Sequence, residues 1–260
     1  EYSSLTYKNM PFVFSPNFSN IFNKKNFLKK ERLHADGLTY DINSPEALDE
    51  IFFCNNEEFV KNELELYLQL ILLSDGKEKY LSKNNLNYKR VNLINSILPN
   101  SFFLIPIRDP LQHANSLLSQ HLHFCKLQKE DNFILRYMNY LHHNEFGLNH
   151  RSWNSPVKFS DFNDLNYWVE QWCFFYQNIY RNYKFNDNCI FLIYENLMKE
   201  KYQKAILNRI SLNNVDILNY NNFKNFKKKY FNINPSDDIS KNAYKIYKKF
   251  KDNSVLNLGS

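Results

Sequence analysis

The sequence predicts an α/β fold in which a mostly parallel sheet lies between two layers of helices. Short apolar segments alternate with longer segments whose apolar residues recur at helical spacing, the order expected of strands and crossover helices. Two of the short segments, Phe102–Ile107 and Cys189–Ile193, are almost wholly apolar, as strands buried on both faces are. The 260 residues suffice for one large core, and no linker or internal repeat divides them. We therefore expect a single three-layer α/β/α domain over residues 1–260.

The N-terminal part is predicted to supply short strands and three helices. Ser44 and Pro45 are expected to begin the first helix, because serine caps free amides and proline fits the first helical position. In chain order the elements are possible strands at Pro11–Phe14 and Gly37–Ile42, helices from Ser44 and over Glu57–Leu73, a strand at Lys79–Ser82, and a helix over Tyr88–Leu98.

The clearest element is the apolar strand Phe102–Ile107, which ends at Arg108. Asp109 is a good N-cap and Pro110 suits the first turn, so a long helix is predicted to follow. A further helix is predicted over Leu165–Tyr183, and the strand Cys189–Ile193 ends at Tyr194. Because ligands of parallel sheets lie at the carboxyl ends of strands, Arg108 and Tyr194 are candidates for a binding site.

Arg108 and Ser116 together indicate a site for an anion. Ser116 follows about two turns into the helix capped by Asp109, so both side chains are expected to face one crevice beside the helix N-terminus. A guanidinium fork, a hydroxyl and a positive helix end suit a phosphate monoester. The alternative is that Arg108 only forms a structural ion pair with a carboxylate.

Composition excludes several classes of function. With only four glycines, neither a Walker loop nor a GxGxxG segment is present. The apolar runs are too short for a membrane span. The net charge is +6, and we interpret its lysine-rich part as the solvent-exposed face of helices. We therefore expect no nucleic-acid partner. The four cysteines contain no CxxC pair and have apolar neighbours, which favours free thiols in a reducing, cytoplasmic location.

Three segments in register resemble the sulfotransferases that use 3'-phosphoadenosine 5'-phosphosulfate (PAPS). The segment FFLIPIRDPLQHANS at 102–116 is similar to that family's 3'-phosphate-binding strand, turn and helix. The segment KYLSKNN at 79–85 resembles the preceding strand, and IFLIYENL at 190–197 resembles a later one. The segment 31–51 is similar to the acceptor-side region of some bacterial members. The likeness covers roughly residues 30–200.

The resemblance implies a P-loop-like fold and an enzyme that transfers a sulfonyl group from PAPS to a hydroxyl or amine. Arg108 and Ser116 would hold the 3'-phosphate, Tyr194 would shape the nucleotide site, and Lys83 would assist transfer. The family's first strand, phosphate loop and first helix would precede Glu1, so this chain alone is expected to bind PAPS poorly. The resemblance does not name the acceptor or the oligomeric state.

A general base must also accept the proton of the acceptor. Asn84 and Asn85 follow Lys83 where small-molecule sulfotransferases carry a histidine base, so the base is expected elsewhere. His34, which stands two residues before Asp36, is the first candidate, and Glu46 is the second. Either could instead be structural, His34 as a loop histidine and Glu46 as a complement to a helix dipole.

Other patterns favour rival interpretations. His121 and Cys125 are four residues apart on a predicted helix, but no second cluster at ligand spacing accompanies them, so no metal is expected. A P-loop kinase would need a Walker loop upstream. A non-catalytic domain that binds an anionic ligand or a protein is the other alternative.

Overall fold

The computed structural model describes residues 2–6, 30–32, 39–41, 43–47, 49–54, 56–140, 143–153, 158–212 and 235–254. The chain forms two compact units, Glu1–Ser101 (unit 1) and Phe102–Ser260 (unit 2). The structure combines helices with short strands. In the described ranges the strands form three pairs, of which two are parallel, so the α/β class is confirmed. The single-domain prediction for residues 1–260 stays a prediction.

Unit 1 contains one main helix and short strand pairs. The parallel pair is β1 with β4, and β2 pairs antiparallel with β3. Its elements are β1 (Tyr2–Ser3), β2 (Lys30–Glu31), β3 (Thr39–Tyr40), α1 (Glu50–Phe53), α2 (Glu57–Asp75), β4 (Lys79–Tyr80), a 3-10 helix (Asn85–Lys89) and α3 (Val91–Ile97).

Local signals set both ends of α2. The Asn56 side chain accepts the Phe59 amide hydrogen at 2.8 Å, which satisfies one free donor of the first turn. Gly76 ends the helix at φ 60°, a left-handed conformation in which a side chain would be strained. Between these ends, one face of α2 packs into the core of unit 1. The buried residues of that core are Leu5, Phe52, Val60, Leu64, Tyr67, Leu68 and Ile71.

Two predictions in unit 1 are wrong in detail. No helix begins at Ser44: its hydroxyl bonds the backbone and carboxylate of Asp41 in a turn, and Pro45 forms a β-bridge with Thr6. Serine side chains compete with helix formation in this way. The predicted helix over Tyr88–Leu98 starts as a 3-10 turn and becomes α-helical only at Val91. The possible strand Pro11–Phe14 lies outside the described residues.

Unit 2 is built on a pair of parallel strands covered by long helices. Its elements are β5 (Phe103–Ile107), α4 (Pro110–Glu130), α5 (Asn132–Tyr140), α6 (Leu165–Tyr183), β6 (Cys189–Ile193), a 3-10 helix (Tyr194–Asn196), α7 (Glu200–Arg209) and α8 (Asp237–Asp252). Each predicted strand and the predicted helices after Pro110 and over Leu165–Tyr183 are confirmed as elements.

The strands β5 and β6 pair in parallel over five residues, from Phe103 with Cys189 to Ile107 with Ile193. All five residues of β6 are buried. The expectation that β5 is also buried on both faces is wrong, because Leu104 is 40% exposed and Pro106 is exposed as well. The Phe103 amide donates to Asn188, so the Leu104 amide and the carbonyls of Leu104 and Pro106 point to the other edge of β5.

That other edge of β5 is poorly suited to further pairing. Pro106 has no amide hydrogen, and its carbonyl accepts the Tyr176 hydroxyl at 3.2 Å. Proline is confined to strand edges because it cannot donate to a ladder. Among the described residues, unit 2 therefore has a two-stranded sheet.

The aromatic residues of α6 form the centre of unit 2. Tyr167, Trp168 and Trp172 are almost fully buried, so these aromatic side chains belong to the core. Phe250 of α8 is completely buried and lies edge-on against Tyr176 and Phe191, so α8 is anchored to both α6 and β6. None of the helices in the described ranges is long and apolar enough to cross a membrane.

A buried polar network ties the segment after α5 to α4 and α6. His121 of α4 accepts the Gly147 amide hydrogen on Nδ1 at 3.2 Å. His150 Nε2 lies 2.6 Å from the Tyr167 hydroxyl of α6. Gly147 has φ +88°, and a Cβ there would overlap the Gln128 side chain, so only glycine fits this approach. Burial and the nearby His150 lower the pKa of His121 to about 4, and burial also lowers the pKa of His150.

Unit 2 should lose stability as the pH falls through the range in which these histidines titrate. In the unfolded chain the His121 ring binds a proton near its ordinary pKa of 6.5, whereas the folded ring does so only near 4. The unfolded state therefore gains protons first, and the free energy of unfolding should fall below pH 6.5 and level off near pH 4. Urea unfolding followed by tryptophan fluorescence measures unit 2 selectively, because the only tryptophans are Trp153, Trp168 and Trp172.

The variant His121→Gln should reduce this loss, and His123→Gln, an exposed neighbour on the same helix, is the matched control. An unchanged pH dependence in His121→Gln would contradict the assignment.

Candidate functional site

Arg108 and Tyr194 meet at the carboxyl ends of the paired strands. Each follows the last residue pair of the ladder, Ile107 with Ile193. The guanidinium carbon of Arg108 lies 5.7 Å from the centroid of the Tyr194 ring, within the range of a cation–π contact. The strand register therefore brings together two of the three residues that the sequence proposes for nucleotide binding.

Glu195 joins the two strand ends, and sequence reasoning missed it as a site residue. Its Oε1 accepts the Asp109 amide hydrogen at 2.8 Å, and its Oε2 accepts the Tyr247 hydroxyl at 2.6 Å. Both oxygens of this carboxylate thus accept a hydrogen bond, one from the backbone after β5 and one from a side chain of α8. No local pattern could have identified these contacts, because Glu195 is 86 residues from Asp109 and 52 from Tyr247.

The N-terminus of α4 is capped by its own side chain. Asp109 Oδ1 accepts the amide hydrogens of Leu111 at 3.1 Å and Gln112 at 3.0 Å. This confirms Asp109 as the N-cap. The expectation that the helix end helps to bind an anion is weakened, because these two amides already have an acceptor and the acceptor is itself anionic.

Ser116 is exposed and lies seven residues after Asp109 along α4. Seven residues make almost two turns, so Ser116 returns to the helix face of Asp109, about 10 Å further along the axis. Helical spacing therefore places Ser116 on the same face of α4 as the capping residue.

His113, in the first turn of α4, is a neutral neighbour of Arg108. Burial and the charge of Arg108 together lower the pKa of His113 to about 4, although the charge of Glu195 opposes the shift. Its Nδ1 is buried and has no hydrogen-bond partner among the described residues. Above about pH 4 this imidazole adds no positive charge to the strand ends.

Lys83 belongs to unit 1, where it follows β4 on a segment held by carboxylates. Ser82 donates to Asp49 Oδ2 at 2.5 Å, and Asn84 donates to Asp49 Oδ1 at 3.0 Å and to Glu50 at 2.8 Å. Asp49 is only 4% exposed, so its acceptors are shielded from water. Both neighbours of Lys83 are therefore fixed, whereas Lys83 itself is exposed.

Of the two candidate bases, only Glu46 lies within the described residues. Glu46 forms an ion pair with Arg32, so its carboxylate is already occupied, and it precedes α1 rather than lying in its first turn. His34 lies outside the described residues.

No metal centre is visible in the described part of the chain. Within it, no group of three or more histidine, cysteine, aspartate or glutamate side chains is arranged to hold an ion. His121 Nε2 does contact Cys125 Sγ at 3.5 Å, but His121 uses its other nitrogen to accept from Gly147.

No family model matches this chain, and neither a curated protein nor a solved structure does. The side chains at the strand ends are therefore the basis for a functional assignment.

Replacing Asp49 should loosen the segment that carries Lys83. Asp49→Ala removes the acceptor of Ser82 and Asn84, and we expect it to lower the free energy of unfolding of unit 1 by about 1–3 kcal/mol. Far-UV circular dichroism or amide exchange should be used, because tryptophan fluorescence reports only unit 2. Asp41→Ala, which removes an exposed turn contact, is the control. Equal stability of Asp49→Ala and the unaltered protein would show that the carboxylate does not hold this segment.

Proposed function

We propose that the chain is the body of a PAPS-dependent sulfotransferase, an enzyme that transfers a sulfonyl group to a hydroxyl or amine. The supporting observation is the meeting of Arg108 and Tyr194 where β5 and β6 end. Ligands of parallel α/β folds bind at such strand ends. The three-layer architecture of that family is part of the proposal, as is the cytoplasmic location.

The 3'-phosphate of the nucleotide is assigned to Arg108 and Ser116. A guanidinium offers paired donors that match phosphate oxygens, and a hydroxyl adds a further donor. The exposed position of Ser116 on the Asp109 face of α4 is compatible with this role. Since the amides of the first turn are taken by Asp109, Arg108 carries most of the attraction for the anion.

In the proposed reaction the acceptor oxygen or nitrogen attacks sulfur in line with the leaving group. The new bond to sulfur forms as the bond from sulfur to the 5'-phosphate oxygen breaks, and 3'-phosphoadenosine 5'-phosphate departs. Lys83 would stabilise the charge that develops on the leaving phosphate. The acceptor proton passes to a base. His34 is the first candidate, because Glu46 would have to break its ion pair with Arg32 before it could accept the proton.

A specific observation favours a second candidate, a non-catalytic module that binds an anionic ligand or a protein. The carboxylates of Asp109 and Glu195 occupy three amide donors where an anion would bind. A domain that has lost catalysis would tolerate such a loss of donors.

Arg108→Ala should abolish measurable binding of 3'-phosphoadenosine 5'-phosphate without unfolding the protein. Arginine makes paired hydrogen bonds to phosphate, each worth about 1.5–3 kcal/mol, so their joint loss weakens binding about 100-fold or more. Isothermal titration of the intact native protein measures this, with circular dichroism as the test of folding. Arg136→Ala, an exposed arginine on α5, is the matched control.

The ligand supplies a second control. Adenosine 5'-monophosphate lacks the 3'-phosphate, so its affinity should be insensitive to Arg108→Ala. Ser116→Ala, which removes a neutral donor, should cost less than Arg108→Ala. A folded, intact protein that does not bind the bisphosphate would leave the non-catalytic module as the better account.

Lys83→Ala should lower the turnover number and leave nucleotide affinity almost unchanged. Removing one donor that stabilises developing charge typically lowers kcat about 100-fold. Transfer of radiolabelled sulfonyl groups from PAPS to a panel of alcohols and amines measures kcat and KM separately. Lys77→Ala, an exposed lysine just before β4, is the control. A rise in KM for PAPS at constant kcat would instead give Lys83 a binding role.

A further inference from the structure

The carboxylate of Glu195 is held by two donors from different parts of unit 2. The Asp109 amide, which follows Arg108 directly, donates to Oε1, and the Tyr247 hydroxyl of α8 donates to Oε2. This carboxylate is thus hydrogen-bonded to the backbone directly after Arg108.

Tyr247 is well placed to hold Glu195 because it stands on an anchored helix. Its ring is only 4% exposed, and burial together with the Glu195 carboxylate raises the pKa of its hydroxyl. The hydroxyl is therefore a permanent donor at physiological pH. One turn further along α8, the fully buried Phe250 packs on Phe191 of β6 with a centroid distance of 4.9 Å.

A carboxylate at this point is also a competitor for the proposed ligand. The Asp109 amide that donates to Glu195 directly follows Arg108 in the chain, so the two groups lie close together. A carboxylate that turned toward the guanidinium would occupy the donors needed for phosphate. Hydrogen bonds from Asp109 and Tyr247 take one acceptor site on each of its oxygens and so fix the orientation of the carboxylate.

We propose that Tyr247 is a positioning residue for the phosphate site: it holds Glu195 on the Asp109 amide and away from the Arg108 guanidinium. The inference rests on the proposed role of Arg108 in binding the 3'-phosphate. It assigns α8 a part in nucleotide affinity although Tyr247 itself does not touch the nucleotide.

The test compares Tyr247→Phe with the double variant Tyr247→Phe/Glu195→Gln in the intact native protein. Tyr247→Phe keeps the buried ring and frees one oxygen of Glu195, so the affinity for 3'-phosphoadenosine 5'-phosphate should fall about tenfold. Glutamine can still accept the Asp109 amide hydrogen but cannot pair with Arg108 as an anion. The double variant should therefore recover most of the affinity, which a purely structural role of Tyr247 does not predict.

Tyr202→Phe is the matched control. The Tyr202 hydroxyl is also buried and accepts the Ile193 amide hydrogen at 2.7 Å, at the same end of β6. This variant should lower the melting temperature and leave affinity within about twofold, since it removes no bond to Glu195 or Asp109.

The outcomes separate this inference from the proposed function. Tight binding by the unaltered protein with equal affinity in Tyr247→Phe would overturn the role of Tyr247 and leave Arg108 as the phosphate ligand. A tenfold loss that Glu195→Gln does not relieve would overturn the competition between Glu195 and phosphate. Absence of binding by the unaltered protein would overturn the proposed function. Faster hydrogen exchange of the Asp109 amide in Tyr247→Phe than in the unaltered protein would then still show that Tyr247 positions Glu195.

Discussion

The parallel register of β5 and β6 is the constraint on which the proposed site depends. Pairing of Ile107 with Ile193 makes Arg108 and Tyr194 the first residues beyond the ladder on adjacent strands. A slip of one residue would also turn every side chain of one strand to the opposite face. Because β6 is buried throughout, such a slip would disturb packing along its whole length, so burial of β6 fixes the position of the two site residues.

Much of unit 2 could be predicted from sequence because its signals are local. Asp109 and Pro110 mark the start of α4 with a side-chain cap and a fixed φ, and Asp164 caps α6 by accepting the Asn166 amide hydrogen. The apolar run of β6 predicts a buried strand, and the structure buries it. From these elements the positions of Arg108 and Tyr194 at strand ends follow without further information.

The remaining features depend on contacts between distant residues, for which the sequence has no pattern. Leu104 is as apolar as its neighbours in β6, yet it is exposed because of where β5 lies in the fold. Ser44 and Pro45 carry a good helix-start signal, but Asp41 offers the serine hydroxyl a nearer partner. Glu46 resembles any free carboxylate until folding places Arg32 against it. The partners of Glu195 are likewise evident only in the fold.

In both units a carboxylate accepts hydrogen bonds from residues that flank a basic side chain. In unit 1 the buried Asp49 fixes Ser82 and Asn84 on either side of Lys83, and in unit 2 Glu195 fixes Asp109 beside Arg108. A carboxylate near a cation stabilises it but also competes with an incoming anion. The hydrogen bonds to these carboxylates come from neutral amides, hydroxyls and carboxamides, so each carboxylate orders its segment through neutral donors. In the proposed phosphate site, affinity would then depend on the donors around the Glu195 carboxylate as well as on the Arg108 guanidinium.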